Sequence, residues 1–121
     1  MRLTHVNVQV TDVAAARSFF ETYFGLRCRY QRHQQIAVFD DDSGFEFAVS
    51  NLFNSPSPAY PPDFHLGLIL ERPNEVRDIY ERLKAAGVAM KLEPGVQGPA
   101  FVFQRLGPDS IPIEVRAPKD A

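Results

Sequence analysis

The chain has 121 residues, 45% hydrophobic and 12% aromatic, which suffices for one compact core of ordinary globular composition. Its 13 Lys and Arg against 15 Asp and Glu leave a formal net charge of -2, without the basic patch that a nucleic-acid partner requires. The single cysteine, Cys28, excludes an intrachain disulfide and a cysteine-based metal cluster. No apolar run reaches membrane-spanning length or forms a signal-peptide core, so a cytoplasmic location is the default expectation.

The first predicted element is a strand, His5-Val6-Asn7-Val8-Gln9-Val10, with valines on one face and His5, Asn7 and Gln9 on the other. Thr11 and Asp12 stand where a helix cap belongs. The helix expected over residues 13–24 carries Ala16, Phe19, Phe20, Tyr23 and Phe24 at three- and four-residue spacings, and Gly25 ends it. This aromatic stripe reads as core or interface packing. Three strands are expected next, over residues 26–32, 36–40 and 45–50, with Asp41, Asp42, Ser43 and Gly44 turning into the last. Arg27, Arg29, Arg32 and His33 form the one local basic cluster, read as a solvated strand edge with an anionic ligand as the alternative. His33 itself is expected at the surface.

The segment FNSPSPAYPPD, residues 53–63, holds four prolines and reads as a linker. Beyond it the same order begins again. DFHLGLIL, residues 63–70, is a strand with His65 near its start, and Pro73 and Asn74 introduce a second helix. That helix should bury Val76, Ile79, Tyr80, Leu83 and Ala86, and stop at Gly87. Strands follow over residues 88–92, 100–104 and 111–116. LEPGVQGPA, residues 92–100, reads as a plain loop or a mobile lid. The chain is therefore expected to be one α+β domain of two βαβββ repeats, about residues 1–52 and 63–121, joined by a Pro-rich linker over 53–62.

The chemistry lies in what opposes the apolar faces. Phe45, Phe47 and Val49 alternate with Glu46, Ala48 and Ser50, and Ile111, Ile113 and Val115 alternate with Pro112, Glu114 and Arg116. A carboxylate flanked by apolar residues is costly unless it is solvated, paired or bound to a metal. His5 and His65 likewise oppose the aliphatic side chains of their strands. Each of the four, taken singly, is most simply a partly exposed polar residue. As a set, with one histidine from the first strand and one glutamate from the last strand of each repeat, they suit a divalent ion such as Zn, Ni, Co, Fe or Mn. Cys28 has no histidine partner that would make it a nucleophile, and there is no phosphate-cradling glycine loop.

The stretches LTHVNVQVTDVAAARSFFETYFGL, FHLGLIL, LKAAGV and GPDSIPIEVRAP together resemble the vicinal oxygen chelate superfamily, which includes glyoxalase I, extradiol dioxygenases, fosfomycin resistance enzymes and bleomycin-binding proteins. The resemblance covers nearly the whole chain and is closest to a one-domain glyoxalase-like member. It implies tandem βαβββ modules whose curled mixed sheets enclose a metal cavity, with His5, Glu46, His65 and Glu114 at the ligand positions. It also implies a homodimer. The family's DPDGN-like turn reads GPDSIPI here, so Ser110 stands in place of glycine and should alter the local geometry without removing Glu114.

The implied activity is that of a metal-dependent lyase or isomerase. Its metal would bind two vicinal oxygens of a small α-hydroxycarbonyl or hemithioacetal and stabilise the enediolate left by proton loss. Glu114, ahead of Glu46, is the expected base, and Asn7 and Gln9 are placed to orient the substrate. Two alternatives share the fold: a metal-free module that binds a drug or metabolite, as in bleomycin resistance, and an iron-dependent ring-cleaving dioxygenase. Four protein ligands argue against the latter, which needs open coordination positions.

Overall fold

The computed structural model describes all 121 residues, which divide into two compact units, Met1–Ala59 and Tyr60–Ala121. Each unit has the order strand, helix, three strands, so the expected βαβββ plan holds in both.

In the first unit, β1 (His5–Gln9), β2 (Arg27–Arg32), β3 (Ile36–Asp40) and β4 (Glu46–Ser50) form one open mixed sheet in the order β1-β4-β3-β2. The β1–β4 pair is parallel and the other two are antiparallel. Helix α1 (Val13–Phe24) begins where the Asp12 carboxylate accepts the Ala15 N–H at 3.0 Å. It ends at Gly25, whose φ of 63° is the left-handed conformation that glycine adopts without strain. Val13, Ala16 and Phe20 on the helix are buried with Val8, Val10, Ala37, Phe39 and Val49 of the sheet. Phe20 is the hub of this core: its ring meets Phe47 at 4.9 Å and Phe39 at 6.1 Å, both edge to face. Phe19, Tyr23 and Phe24 are only half-buried.

Strand β2 carries a β-bulge. Cys28 lies opposite Phe39, but Tyr30 lies opposite Val38, which leaves Arg29 as the extra residue. The bulge flips the strand's alternation, so Gln31 falls opposite the core residue Ala37 and accepts a hydrogen bond from Arg17 of α1 at 2.9 Å. Between β3 and β4, the Asp41 carboxylate accepts from the Ser43 hydroxyl and from the N–H groups of Ser43 and Phe45. These bonds, the Ser43 hydroxyl foremost, hold its pKa below the ordinary carboxylate value.

In the second unit, β5 (Leu66–Ile69), β6 (Met90–Gln97), β7 (Ala100–Leu106) and β8 (Pro112–Pro118) repeat the arrangement in the order β5-β8-β7-β6. Helix α2 (Pro73–Ala85) places Pro73 in its first turn, where a missing N–H costs nothing. Val76 and Leu83 are buried against Phe101, Phe103, Ile113 and Val115, and Ile79 and Tyr80 are half-buried. Ala86, expected on the core face, is instead the exposed C-cap, and Gly87 follows with a φ of 75°.

LEPGVQGPA is neither loop nor lid, because β6 runs through to Gln97 and β7 starts at Ala100. As an edge strand, β6 pairs with β7 alone. Register shifts between Met90 and Leu92 and between Leu92 and Gly95 accommodate Pro94, which has no N–H to give. The turn before β8 carries the serine that stands in place of the family's glycine. Asp109 and Ser110 both adopt left-handed backbone, with φ of 55° and 59°, a conformation that glycine holds without strain and serine does not. Replacing Ser110 with glycine is therefore expected to raise stability by about 0.5–1 kcal/mol, after the larger unfolded-state entropy of glycine is set against the relieved strain. A shift of the urea midpoint at constant m-value measures it, and an unchanged or lowered midpoint would contradict it.

Candidate metal centre

The open face of each sheet, opposite its helix, carries the four residues singled out by the sequence. In the first unit the parallel register sets His5 beside Glu46, and the antiparallel register sets Asp40 on the other side of Glu46. Glu46 opens β4 rather than sitting inside it. His5 is exposed, and its Nδ1 lies 2.9 Å from Thr4 Oγ1. When that hydroxyl accepts, Nε2 keeps its lone pair. The Glu46 carboxylate is already engaged, since Arg29 Nη2 donates to its Oε1 at 2.7 Å and Arg29 Nε donates to Asp40 Oδ2 at 2.8 Å. Flanked by both carboxylates, Asp40 first, the guanidinium is held still more firmly in its charged form.

In the second unit Glu114 stands opposite Gly67 on β5, two residues beyond His65, so the two polar side chains share a face. His65 Nε2 lies 3.4 Å from Glu114 Oε2. Gln104, the cross-strand partner of Glu114 on β7, donates to the same oxygen at 3.1 Å, and Arg116 Nη1 lies 3.5 Å from Oε1. Only 15% of the Glu114 side chain is exposed, against 45% for Glu46, so Glu114 is the more firmly held of the two.

The imidazole of His65 is oriented from behind, with Nδ1 3.0 Å from the Asp63 carbonyl oxygen. A carbonyl can only accept, so Nδ1 carries the proton and Nε2 of the neutral ring presents a lone pair to a carboxylate oxygen. At 3.4 Å from Glu114 Oε2, that lone pair and the carboxylate could share a divalent cation. The spacing suits an ion: two donors at about 2.1 Å from one metal lie about 3.0–3.4 Å apart at octahedral to tetrahedral angles. A backbone carbonyl behind a histidine is also the usual support of a metal-binding imidazole. The donor set thus fits a borderline divalent cation. Within neither unit does a group of three or more His, Cys, Asp or Glu gather that could hold one; each unit offers a pair.

Asn7 and Gln9, expected to orient substrate, have partners within their own unit. Asn7 Oδ1 accepts from the Ser50 hydroxyl at 2.6 Å, and Gln9 Nε2 donates to the Pro56 carbonyl at 3.0 Å. His33 is exposed and Cys28 half-buried, with its thiol 3.3 Å from the Tyr30 carbonyl oxygen. Sequence reasoning missed Arg29 and Gln104 as companions of the two glutamates. The signal for Gln104 was its place on a strand pairing with that of Glu114. Arg29 stood out only as a member of the basic cluster, and it is the bulge that brings it to Glu46.

Both units are thus βαβββ modules of one α+β chain, each with a histidine and a glutamate on its open face. The chain belongs to the glyoxalase/bleomycin resistance protein/dioxygenase superfamily, whose family model matches residues 2–115. It is similar to the structure of a possible glyoxalase from Bacillus cereus at 36% identity, with a TM-score of 0.82 over 95% of this chain and 97% of that one. It is also similar to the fosfomycin resistance protein FosX from Listeria monocytogenes, at 25% identity and a TM-score of 0.80 over 96% and 90% of the two chains. A lactoylglutathione lyase from Agrobacterium tumefaciens shares the fold at 16% identity and a TM-score of 0.77, over 96% and 92%. No curated protein matches the sequence. No helix is long and apolar enough to cross a membrane.

Proposed function

We propose that the protein is a divalent-metal-dependent lyase or isomerase of glyoxalase type, acting on a small substrate that offers two vicinal oxygens. The proposed ligands are His5 and Glu46 from one unit and His65 and Glu114 from the other, supplied by one chain or by two copies in a homodimer. The observation that carries this reading is the His65–Glu114 pair, whose ring nitrogen and carboxylate oxygen lie 3.4 Å apart while the Asp63 carbonyl orients the ring.

A bound divalent ion would supply Lewis acidity to the two substrate oxygens. The chain's own groups would do the rest. Glu114 is assigned as the base. Gln104 and His65 both lie against its Oε2, so Oε1 is assigned to take a proton from a substrate carbon and return it to the neighbouring one.

The test is the metal content of untagged protein as purified, and again after chelation and reloading from a series of Ni, Zn, Co, Fe and Mn. About one ion per site, with turnover of a hemithioacetal or α-hydroxycarbonyl that chelation abolishes, is the expected result. Failure to bind any member of the series would overturn it. A second reading, a metal-free small-molecule binding module, is favoured by the Arg29–Glu46 ion pair, which satisfies that carboxylate without a metal. It would stand if no metal bound and a small-molecule ligand still raised the melting temperature.

A further inference from the structure

Asp40 and Glu46 are direct cross-strand partners, an arrangement in which like charges repel. Arg29 resolves that repulsion from one side. As the extra residue of the β2 bulge it is free of the strand's alternation, and its guanidinium binds Asp40 through Nε and Glu46 through Nη2. A cation held by Glu46 and His5 would resolve the same repulsion from the other side, because His5 is the partner of Glu46 across the parallel register. The Glu46 carboxylate thus has two rival cations available, and one of them is built into the chain.

We propose that Arg29 is an internal counter-cation that occupies Glu46 in the metal-free protein and must release it when a metal is bound, remaining tied to Asp40. Arg29 is then a positioning residue that sets metal affinity rather than a ligand or a catalytic group. The same contact keeps Glu46 oriented on the open face while no metal is present. The second unit is built differently. Glu114 lies against the neutral amide of Gln104, with the Arg116 guanidinium no nearer than 3.5 Å, so its carboxylate has no comparably tight cationic rival. Of the two glutamates, Glu46 is accordingly the ligand that is given up and regained. This inference rests on the metal-site reading above.

The test is an equilibrium titration of the chelated full chain with Zn2+ and with Ni2+, read by competition with a chromogenic chelator. Wild type is compared with Arg29→Met, Glu46→Gln, the double variant and His65→Ala. Arg29→Met is expected to bind about tenfold more tightly, the effect of removing one charge-assisted bond that competes for the ligand at a half-exposed site. The gain should vanish in the Glu46→Gln background, because there is no carboxylate left to compete for. Equal affinities of wild type and Arg29→Met would overturn the proposal. So would a gain that persists with Glu46→Gln, since that would be a simple field effect of the removed charge.

Should Arg29→Met fail to fold, Arg29→Gln carries the same expectation. Metal binding that is lost in His65→Ala but unmoved by Arg29→Met sinks this proposal alone and leaves the metal site standing. Absence of binding in wild type and Arg29→Met alike sinks both. Binding only after Arg29 is replaced would support Arg29 as the rival cation and overturn the metal-dependent function of the wild type.

Discussion

Replacing His65 with alanine is expected to weaken divalent-metal binding by about 100-fold or more while leaving the fold intact. Loss of a supporting group behind a metal ligand already costs about 10- to 100-fold, and loss of the ligand itself should cost at least as much. The fold should survive because His65 precedes β5 and is exposed, with its contacts confined to the Asp63 carbonyl and Glu114. His5→Ala should behave alike, since His5 is exposed at the start of β1 and its cross-strand neighbour Glu46 retains Arg29. Metal content by plasma mass spectrometry, beside circular dichroism of the same samples, checks both halves of the expectation. Full metal occupancy in either variant would remove that histidine from the ligand set.

The second large effect is on stability. Phe20→Ala should destabilise the protein by about 3–5 kcal/mol, a large share of the roughly 5–15 kcal/mol that holds a domain of this size together. Phe20 is fully buried and joins α1 to both β3 and β4 through Phe39 and Phe47. Its loss leaves a cavity that the rigid sheet and the α1 backbone cannot collapse to fill. Phe53 is the control: it is 89% exposed in the stretch that follows β4, and Phe53→Ala should change stability by less than about 0.5 kcal/mol. Urea unfolding monitored by far-ultraviolet circular dichroism separates the two, and similar midpoints for both variants would refute this account of the core.

Much of the architecture was legible because it depends on local chemistry. Asp12 and Gly25 bound α1 through a side-chain acceptor and a left-handed glycine, both readable one residue at a time. The period of two in His5–Gln9 and in the strand bearing Glu114 showed which side chains share a face, and both histidines and both glutamates do lie opposite the helices. Where the reading failed, the deciding influence came from another strand. Pro94 and Gly95 look like loop residues by themselves, yet β7 offers them an edge to lie along and bulges absorb the proline. Ala86 fits the helical spacing, yet the helix has already ended at Ala85.

The candidate site divides in the same way. Residue types and alternation alone singled out four candidate donors and the repeat that sets them at matched positions. Tertiary structure decided what each donor touches. Side chains on different strands meet according to register, and register depends on bulges and turns that leave no periodic trace in the sequence. Hence only the fold showed that Asp63 orients His65, that Gln104 holds Glu114, and that an extra residue in β2 brings Arg29 onto Glu46.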